Sequence, residues 1–573
     1  MEVTRHNLQE LMPTIRDAID HASFVAVDCE MTGLFDYEPK PWYLDDMQTR
    51  YEDVAANAQK FGLIQIGLAA FAPSLTGLGW VAKTFNFYLF PCALEGTDRR
   101  FLSQASSLEF LSGCGFDFNK CIRQGVPYMT AVARDARLAR VAREASAEER
   151  ASQQPPIQLT AQRDIDFKED FLARVRDWLA SDTEEALLLP SSNSFQRAVQ
   201  HQELRRPQFG APDPPGFHVE VVKGPSGYNQ LRLVKADPEV AAAARAAATS
   251  KAQADIHAAA GFTAVLEMLR GAGKPVVGHN AFFDLAFILS SFATPLPPSL
   301  RAFKELVRAW FPAGFWDTKH LACQLQAAQP AAAPEDTSLG ALYADLEARA
   351  AGGVASDPGE GGLIQTAPLP TVGHSVTFDR YDFAGASMLA HEAGYDAFMT
   401  GSVFARLAVL LGGAETVQAA LPALAASRGR LNVTRSDYAY IDLEGPDPEP
   451  RRPKVLWVSG FEAGSLTGGS LARRVNAHQL GSTRSTVLRS GCDAFVELFE
   501  TSDVQEALRK LQQSLKPWRV DTYAAYAAHR ETRLLEEEKE WNAAGARVGS
   551  KRPRETAGPA PSEKKERSMC AVM

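Results

Sequence analysis

Apolar residues fall at helical spacing in N-L-Q-E-L-M-P-T-I-R-D-A-I-D and then collect in F-V-A-V-D-C-E, a run of β-formers that ends in two acids. The pattern predicts an amphipathic helix feeding a buried strand. Two more strands are predicted at 61–71, F-G-L-I-Q-I-G-L-A-A-F, and 84–90, T-F-N-F-Y-L-F, the latter largely alternating. From about 131 to 160 the chain is rich in Ala, Arg, Glu and Gln with a Pro-Pro pair, as expected of an exposed helix and linker. A small module follows: a helix at 164–180, a strand pair at 217–222 and 230–235, and an Ala-rich connecting helix at 240–260.

Residues 262–412 return to alternating helix and strand, with K-P-V-V-G-H-N as a buried strand, A-F-F-D-L-A-F-I-L-S as a helix, and surface loops at 329–336 and 351–362. Further on, strands at K-V-L-W-V-S, T-V-L-R, A-F-V-E-L-F and W-R-V-D-T-Y alternate with helices at 464–477 and 503–515. That β-α-β-β-α-β order is ferredoxin-like. The chain therefore reads as one α/β domain in two parts, 1–160 and 239–415, interrupted by a small α/β domain at 161–238. A ferredoxin-like domain at 430–527 and a tail at 528–573 complete it; the tail opens with the charged, helix-like run L-L-E-E-E-K-E-W, then becomes Gly/Pro/Lys-rich and is expected to be disordered.

A length of 573 residues accommodates such a set of domains. The net charge of −9 excludes a uniformly basic coat for nucleic acid but leaves room for a local basic groove. Seven cysteines without a C-x-x-C pair give no zinc site and point to a reducing compartment. The first twenty residues carry acids where a secretory signal would be apolar, and the longest charge-free apolar span, Phe61 to Ala82, contains Gln65, Pro73, Ser74 and Thr76. The expectation is a chain of the cytoplasm or nucleus with no membrane-spanning segment.

The two acids give the sequence its chemistry. On a strand, Asp28 and Glu30 project to one face while Cys29 points away. Such a pair repels unless a cation sits between the carboxylates. Alone it is a weak signal, but G-H-N-A-F-F-D puts Asp284 on the first turns of a helix, and H-E-A-G-Y-D supplies His391 and Asp396. Four carboxylates and one imidazole would hold two divalent ions, with hard oxygen ligands suiting Mg2+ or Mn2+, and are suited to hydrolysing a terminal phosphodiester. His391 is the natural general base for the attacking water. On a straight helix His391 and Asp396 would lie about 140° apart, so the helix is expected to begin near Gly394 with His391 on the loop before it.

These three segments, in this order, resemble the DEDD 3′-to-5′ exonucleases of the RNase H-like fold, and the H-x(4)-D spacing resembles the DEDDh subgroup. The segments S-S-L-E-F-L-S-G-C-G-F-D-F-N-K, G-V-P-Y, F-W-D-T-K, T-S-L, H-E-A-G-Y-D-A-F-M-T-G and Y-I-D-L-E-G-P-D look like the poly(A)-specific ribonuclease family. The resemblance implies an RNase H-like exonuclease domain interrupted by a domain of the Arg-x(3)-His type and followed by an RRM-type domain. It implies metal ligands at Asp28, Glu30, Asp284 and Asp396, a catalytic His391, homodimers, and single-stranded RNA 3′ ends, preferably poly(A), as substrate. Lys319 in D-T-K could face phosphate, Arg197 and His201 share a helix face in the inserted module, and Trp457 and Phe495 could stack on bases. Two departures from the family stand out: Met31 where it carries Phe after D-x-E, and Leu488 where it carries a cap-stacking Trp. Trimming of small-RNA 3′ ends is the alternative within the nuclease class. An RNA-binding scaffold with an inactive nuclease domain is the alternative outside it.

The chain ends C-A-V-M, a C-a-a-X box that predicts farnesylation of Cys570, with K-R-P-R and further basic residues upstream. A lipid plus a basic patch would hold the enzyme at a cytoplasmic membrane face such as that of the endoplasmic reticulum, and K-R-P-R could equally direct it to the nucleus.

Overall fold

A computed structural model describes residues 1–548 apart from 37–42, 75–78, 92–98, 152–156, 182–184, 205–216, 224–228, 236–237, 331–332, 353–368, 383–388, 414–416, 489 and 502. It has two compact units, Met1–Pro448 and Glu449–Met573.

In the first unit the strands are β1 (Glu2–Val3), β2 (Phe24–Met31), β3 (Leu63–Pro73) and β4 (Gly79–Tyr88), then β5 (Ala186–Leu188), β6 (Phe217–Lys223) and β7 (Asn229–Lys235) in the inserted module. After it come β8 (Val276–Gly278), β9 (Phe315–Asp317), β10 (Thr371–His374) and the short pair β11 (Arg430–Leu431) and β12 (Ile441–Asp442). The main sheet runs β1-β4-β3-β2-β8-β9, with β10 also on β4. β2, β3 and β4 form an antiparallel meander and β8 and β9 add in parallel, the RNase H-like α/β arrangement the sequence led us to expect.

Both faces of this sheet are covered, which is why its strands read as apolar runs. Val25, Val27 and Cys29 of β2 pack with helices Leu8–His21, Met47–Lys60, Phe262–Ala272 and Leu300–Trp310. Phe24 and Ala26 of the same strand face the helix Ala393–Gly412, whose Ala397, Phe404 and Ala408 complete that core. Helices Ala131–Ala151 and Pro238–Ala260 pack on one another at the base of the inserted module. The module has its own core of Phe171, Val175, Trp178, Leu231 and Leu233, and the order β5-β7-β6 adds a strand that the sequence pattern had not revealed.

Residues 430–448, expected to open the third domain, belong to the first unit. Leu431, Tyr438, Ile441 and Leu443 bury in its core, and the ammonium of Lys304 donates to the Gly445 carbonyl (3.1 Å) and to Asp447 (2.7 Å). Their alternating apolar residues suit a sheet edge as well as a new domain, and β11 uses them beside β9.

The second unit has the ferredoxin-like order. β13 (Val455–Ser459), β14 (Thr483–Val487), β15 (Asp493–Leu498) and β16 (Arg519–Thr522) pair antiparallel as β14-β15-β13-β16, with helices Gly468–Asn476 and Val504–Ser514 on one face. The helix-like run expected at the head of the tail lies in a longer helix, Tyr523–Val548, that packs on β13 and β16. Residues 549–573, including Cys570, lie outside the described residues.

Candidate active site

Asp28 and Glu30 continue the Phe24 and Ala26 face of β2, so they point toward the helix Ala393–Gly412. Their cross-strand neighbours set two rows: Asp28, Gly67 and Asn86 across β2, β3 and β4, and Glu30, Gln65 and Tyr88 one step along. A Cβ at Gly67 would sit 1.8 Å from the carbonyl oxygen of Ala393, so the start of the helix rests directly on the β3 backbone.

His391 precedes that helix with φ +71°, a left-handed conformation, and Glu392 is the N-cap. The chain thus breaks where the five-residue spacing required. Asp396, in the first turn, accepts from the His391 amide (3.2 Å), and the imidazole Nδ1 lies 4.0 Å from the other Asp396 oxygen. Glu30, His391 and Asp396 can bring one ligand atom each within 4.8 Å of one another.

Asp284 arrives from the other side of the sheet, in the first turn of the helix Phe282–Ile288 after β8. The turn before it is organised by the fully buried Asp317, whose carboxylate accepts from the amides of Asn280 (2.8 Å), Ala281 (3.3 Å), Lys319 (2.9 Å) and Asn432 (2.9 Å). Asn280 takes φ +53° there. Cys29 points away from Asp28 and Glu30, as alternation demands, yet its thiol donates to Asp284.

Protein crowds these acids although Asp28, Glu30 and Asp284 keep an opening to solvent. Burial holds the Asp28 and Glu30 carboxyls well above the usual range, and the charges of Asp396 and Asp284 add to the effect. Burial likewise raises Asp284 and Asp396, to about 7. The same cause lowers His391, which favours the neutral imidazole, the form that can accept a proton. Mutual repulsion of this kind is relieved by divalent cations, and four carboxylates are the hard donors such ions prefer.

The structure brings Asp28, Glu30, Asp284, His391 and Asp396 into one recess. Lys319 is half-buried on the first turn of the helix Thr318–Ala328, beside His279. Arg197 and His201 are half-buried on the Ser194–Leu204 helix of the inserted module. Met31 packs on the first core, and Leu488 is half-buried at the end of β14. Trp457 and Phe495 are not open for stacking on bases: they are 3% and 1% exposed. Tyr526 and His529 of the Tyr523–Val548 helix pack on Trp457, Tyr523 and Tyr526 pack on Phe495, and the Trp457 indole donates to Asp493 (2.8 Å). Sequence pattern also missed Phe110, half exposed with its ring edge-on to His391 at 4.7 Å, although S-S-L-E-F had drawn attention to the segment.

Residues 3–404 match the family of CAF1 ribonucleases. The chain belongs to the CAF1 family. This CAF1 family ribonuclease is 29% identical over 561 residues to poly(A)-specific ribonuclease PARN of Homo sapiens, covering 93% of this chain and 81% of that protein. It is 27% identical over 471 residues to the pre-piRNA 3′-exonuclease trimmer of Bombyx mori, covering 80% of this chain and 82% of that one. Among solved structures it is similar to the Mg2+- and Mn2+-bound form of S. pombe Pop2p, with 16% identity, coverage of 71% of this chain and 90% of that one, and a TM-score of 0.31.

Proposed function

We propose that this ribonuclease is a divalent-metal-dependent 3′-to-5′ exonuclease that shortens poly(A) tails and releases 5′-AMP. The observation that carries the reading is the convergence of Asp28, Glu30, Asp284 and Asp396 with His391, whose Nδ1 lies 4.0 Å from Asp396. The four carboxylates would hold two Mg2+ ions, with Mn2+ as a substitute. Bound there, the ions would acidify an attacking water and neutralise developing charge. His391 accepts the proton of that water, and Asp396 orients the loop carrying it through the amide hydrogen bond. Poly(A) as substrate is supported by similarity to poly(A)-specific ribonucleases over more than nine-tenths of the chain.

Similarity to the pre-piRNA trimmer favours a second reading, removal of 3′ extensions from small RNAs. A time course on 5′-labelled oligo(A), beside a substrate with a defined mixed-sequence 3′ overhang, separates the two. Run with Mg2+, with EDTA and with Asp28→Ala, it also tests the mechanism: ladders that persist in EDTA or in the variant overturn it. At the C-terminus we propose farnesylation of Cys570 and attachment to a cytoplasmic membrane face, on the strength of C-A-V-M and its basic flank.

A further inference from the structure

The first amides of the helix that carries Asp396 are capped from far away in the chain. The Ala393 amide donates to the Gln65 side-chain oxygen (2.9 Å) and the Gly394 amide to that of Asn86 (3.1 Å). Both side chains are buried, Gln65 on β3 and Asn86 on β4. A helix start is ordinarily capped by the residue just before it. Here that residue, Glu392, makes no side-chain cap. Its carboxylate is drawn aside by the Tyr381 hydroxyl (2.6 Å) and the Arg380 guanidinium (2.8 Å). The Asn86 amide nitrogen is buried without a partner among the described residues. Such a group is costly to keep, so its retention needs a reason.

The strand register supplies one. Gln65 is the cross-strand neighbour of Glu30, and Asn86 lies in the row of Asp28 through Gly67. The two caps and the contact at Gly67 therefore fix the helix start at three points on the same strands that register Asp28 and Glu30. We propose that Gln65 and Asn86 are positioning residues for the nuclease reaction, setting His391 and Asp396 against Asp28 and Glu30 by capping the helix that follows His391. This rests on the active-site reading above. Both caps are neutral amides, so they satisfy the helix end without adding negative charge to a recess that already holds four carboxylates.

The test is a double-mutant cycle on oligo(A) shortening with Mg2+. Gln65→Leu and Asn86→Leu leave an apolar side chain of roughly similar size and remove the accepting oxygen. Each is expected to lower kcat by about 100-fold, with KM within about threefold, because a misplacement of roughly 1 Å has effects of that size. In a His391→Ala background either change is expected to cost clearly less than it does alone, since one of the two groups it positions is gone and only the placement of Asp396 is left to lose. Mn2+ binding, followed by electron paramagnetic resonance, is expected to weaken in both single variants. Where a single variant does not fold, Gln65→Leu with Ala393→Pro removes acceptor and donor together, and proline is tolerated at the first helical position. Losses that multiply fully with His391→Ala, or Leu variants with wild-type kcat and Mn2+ affinity, overturn the proposal. An inactive wild-type protein overturns the nuclease reading instead.

Discussion

Gly67→Ala isolates the contact on which the site's geometry depends. The added methyl would lie 1.8 Å from the Ala393 oxygen, 2.3 Å from its carbonyl carbon and 2.7 Å from the Gly394 nitrogen, all backbone atoms. No side chain can swing away, so the helix start must lift by about 1.5 Å to reach ordinary contact distance, stretching both distant caps. The lift carries His391 and Asp396 away from Asp28 and Glu30. Overpacking of this kind costs about 1–3 kcal/mol of stability, and a displacement above 1 Å at the reacting groups predicts a loss in kcat of about 100-fold.

Gly401→Ala is the control. Its methyl would meet the Phe71 ring at 2.0 Å, a comparable clash on the same helix. Seven residues separate it from Gly394, about 10 Å along the axis, and the obstacle is a side chain that can shift. Thermal unfolding is expected to show both variants folded and lowered by a few degrees. Single-turnover shortening of 5′-labelled oligo(A) is expected to show the large rate loss only for Gly67→Ala. A Gly67→Ala rate within threefold of wild type, or an equal rate loss in Gly401→Ala, would refute the reasoning.

Two further outcomes follow from the electrostatics and from the covered sheet of the second unit. Burial holds Asp284 and Asp396 at about 7 and raises Asp28 and Glu30, so the folded metal-free chain binds protons that the unfolded chain releases. Its stability in EDTA is therefore expected to rise as pH falls from 8 to 6, and saturating Mg2+ is expected to flatten that dependence; unfolding midpoints that rise with pH over this window in EDTA count against the crowded-acid recess. Trp457→Ala is expected to destabilise the second unit by about 3 kcal/mol through lost packing while leaving KM for oligo(A) unchanged below its unfolding temperature; a raised KM with an unaltered melt would restore a base-stacking role.

Sequence made the acids legible because their chemistry is local in pattern. D-x-E at a strand end fixes which face two carboxylates share, and the five-residue gap between His391 and Asp396 demands a break that the φ of +71° supplies. The caps were not legible, because Gln65 and Asn86 meet amides 328 and 308 residues away and otherwise read as ordinary polar residues on apolar strands. Asp317 was hidden for a related reason: its four amide partners come from three separate segments. Trp457 and Phe495 were misread because aromatics on a ferredoxin-like sheet give one pattern whether the face is open or roofed by a later helix. The roof itself, Tyr523–Val548, contains a charged helix-like run that gives no sign in its pattern of packing on the sheet.

These hidden features share a purpose that the acids alone do not reveal. The charges of Asp284 and Asp396 raise the Asp28 and Glu30 carboxyls further than burial alone, so these acids push apart and the recess must be held by contacts that owe nothing to the charges. The backbone contact at Gly67 and the neutral caps at Gln65 and Asn86 hold the Asp396 side. The amide cradle of Asp317 holds the Asp284 side. Each brace uses a buried hydrogen bond or a close backbone approach, which a low-dielectric interior strengthens. Glu392 adds a further negative charge near Asp396, and Arg380 and Tyr381 draw that carboxylate off the helix end. The frame is therefore held by contacts independent of the cations, which would have the remaining repulsion to relieve.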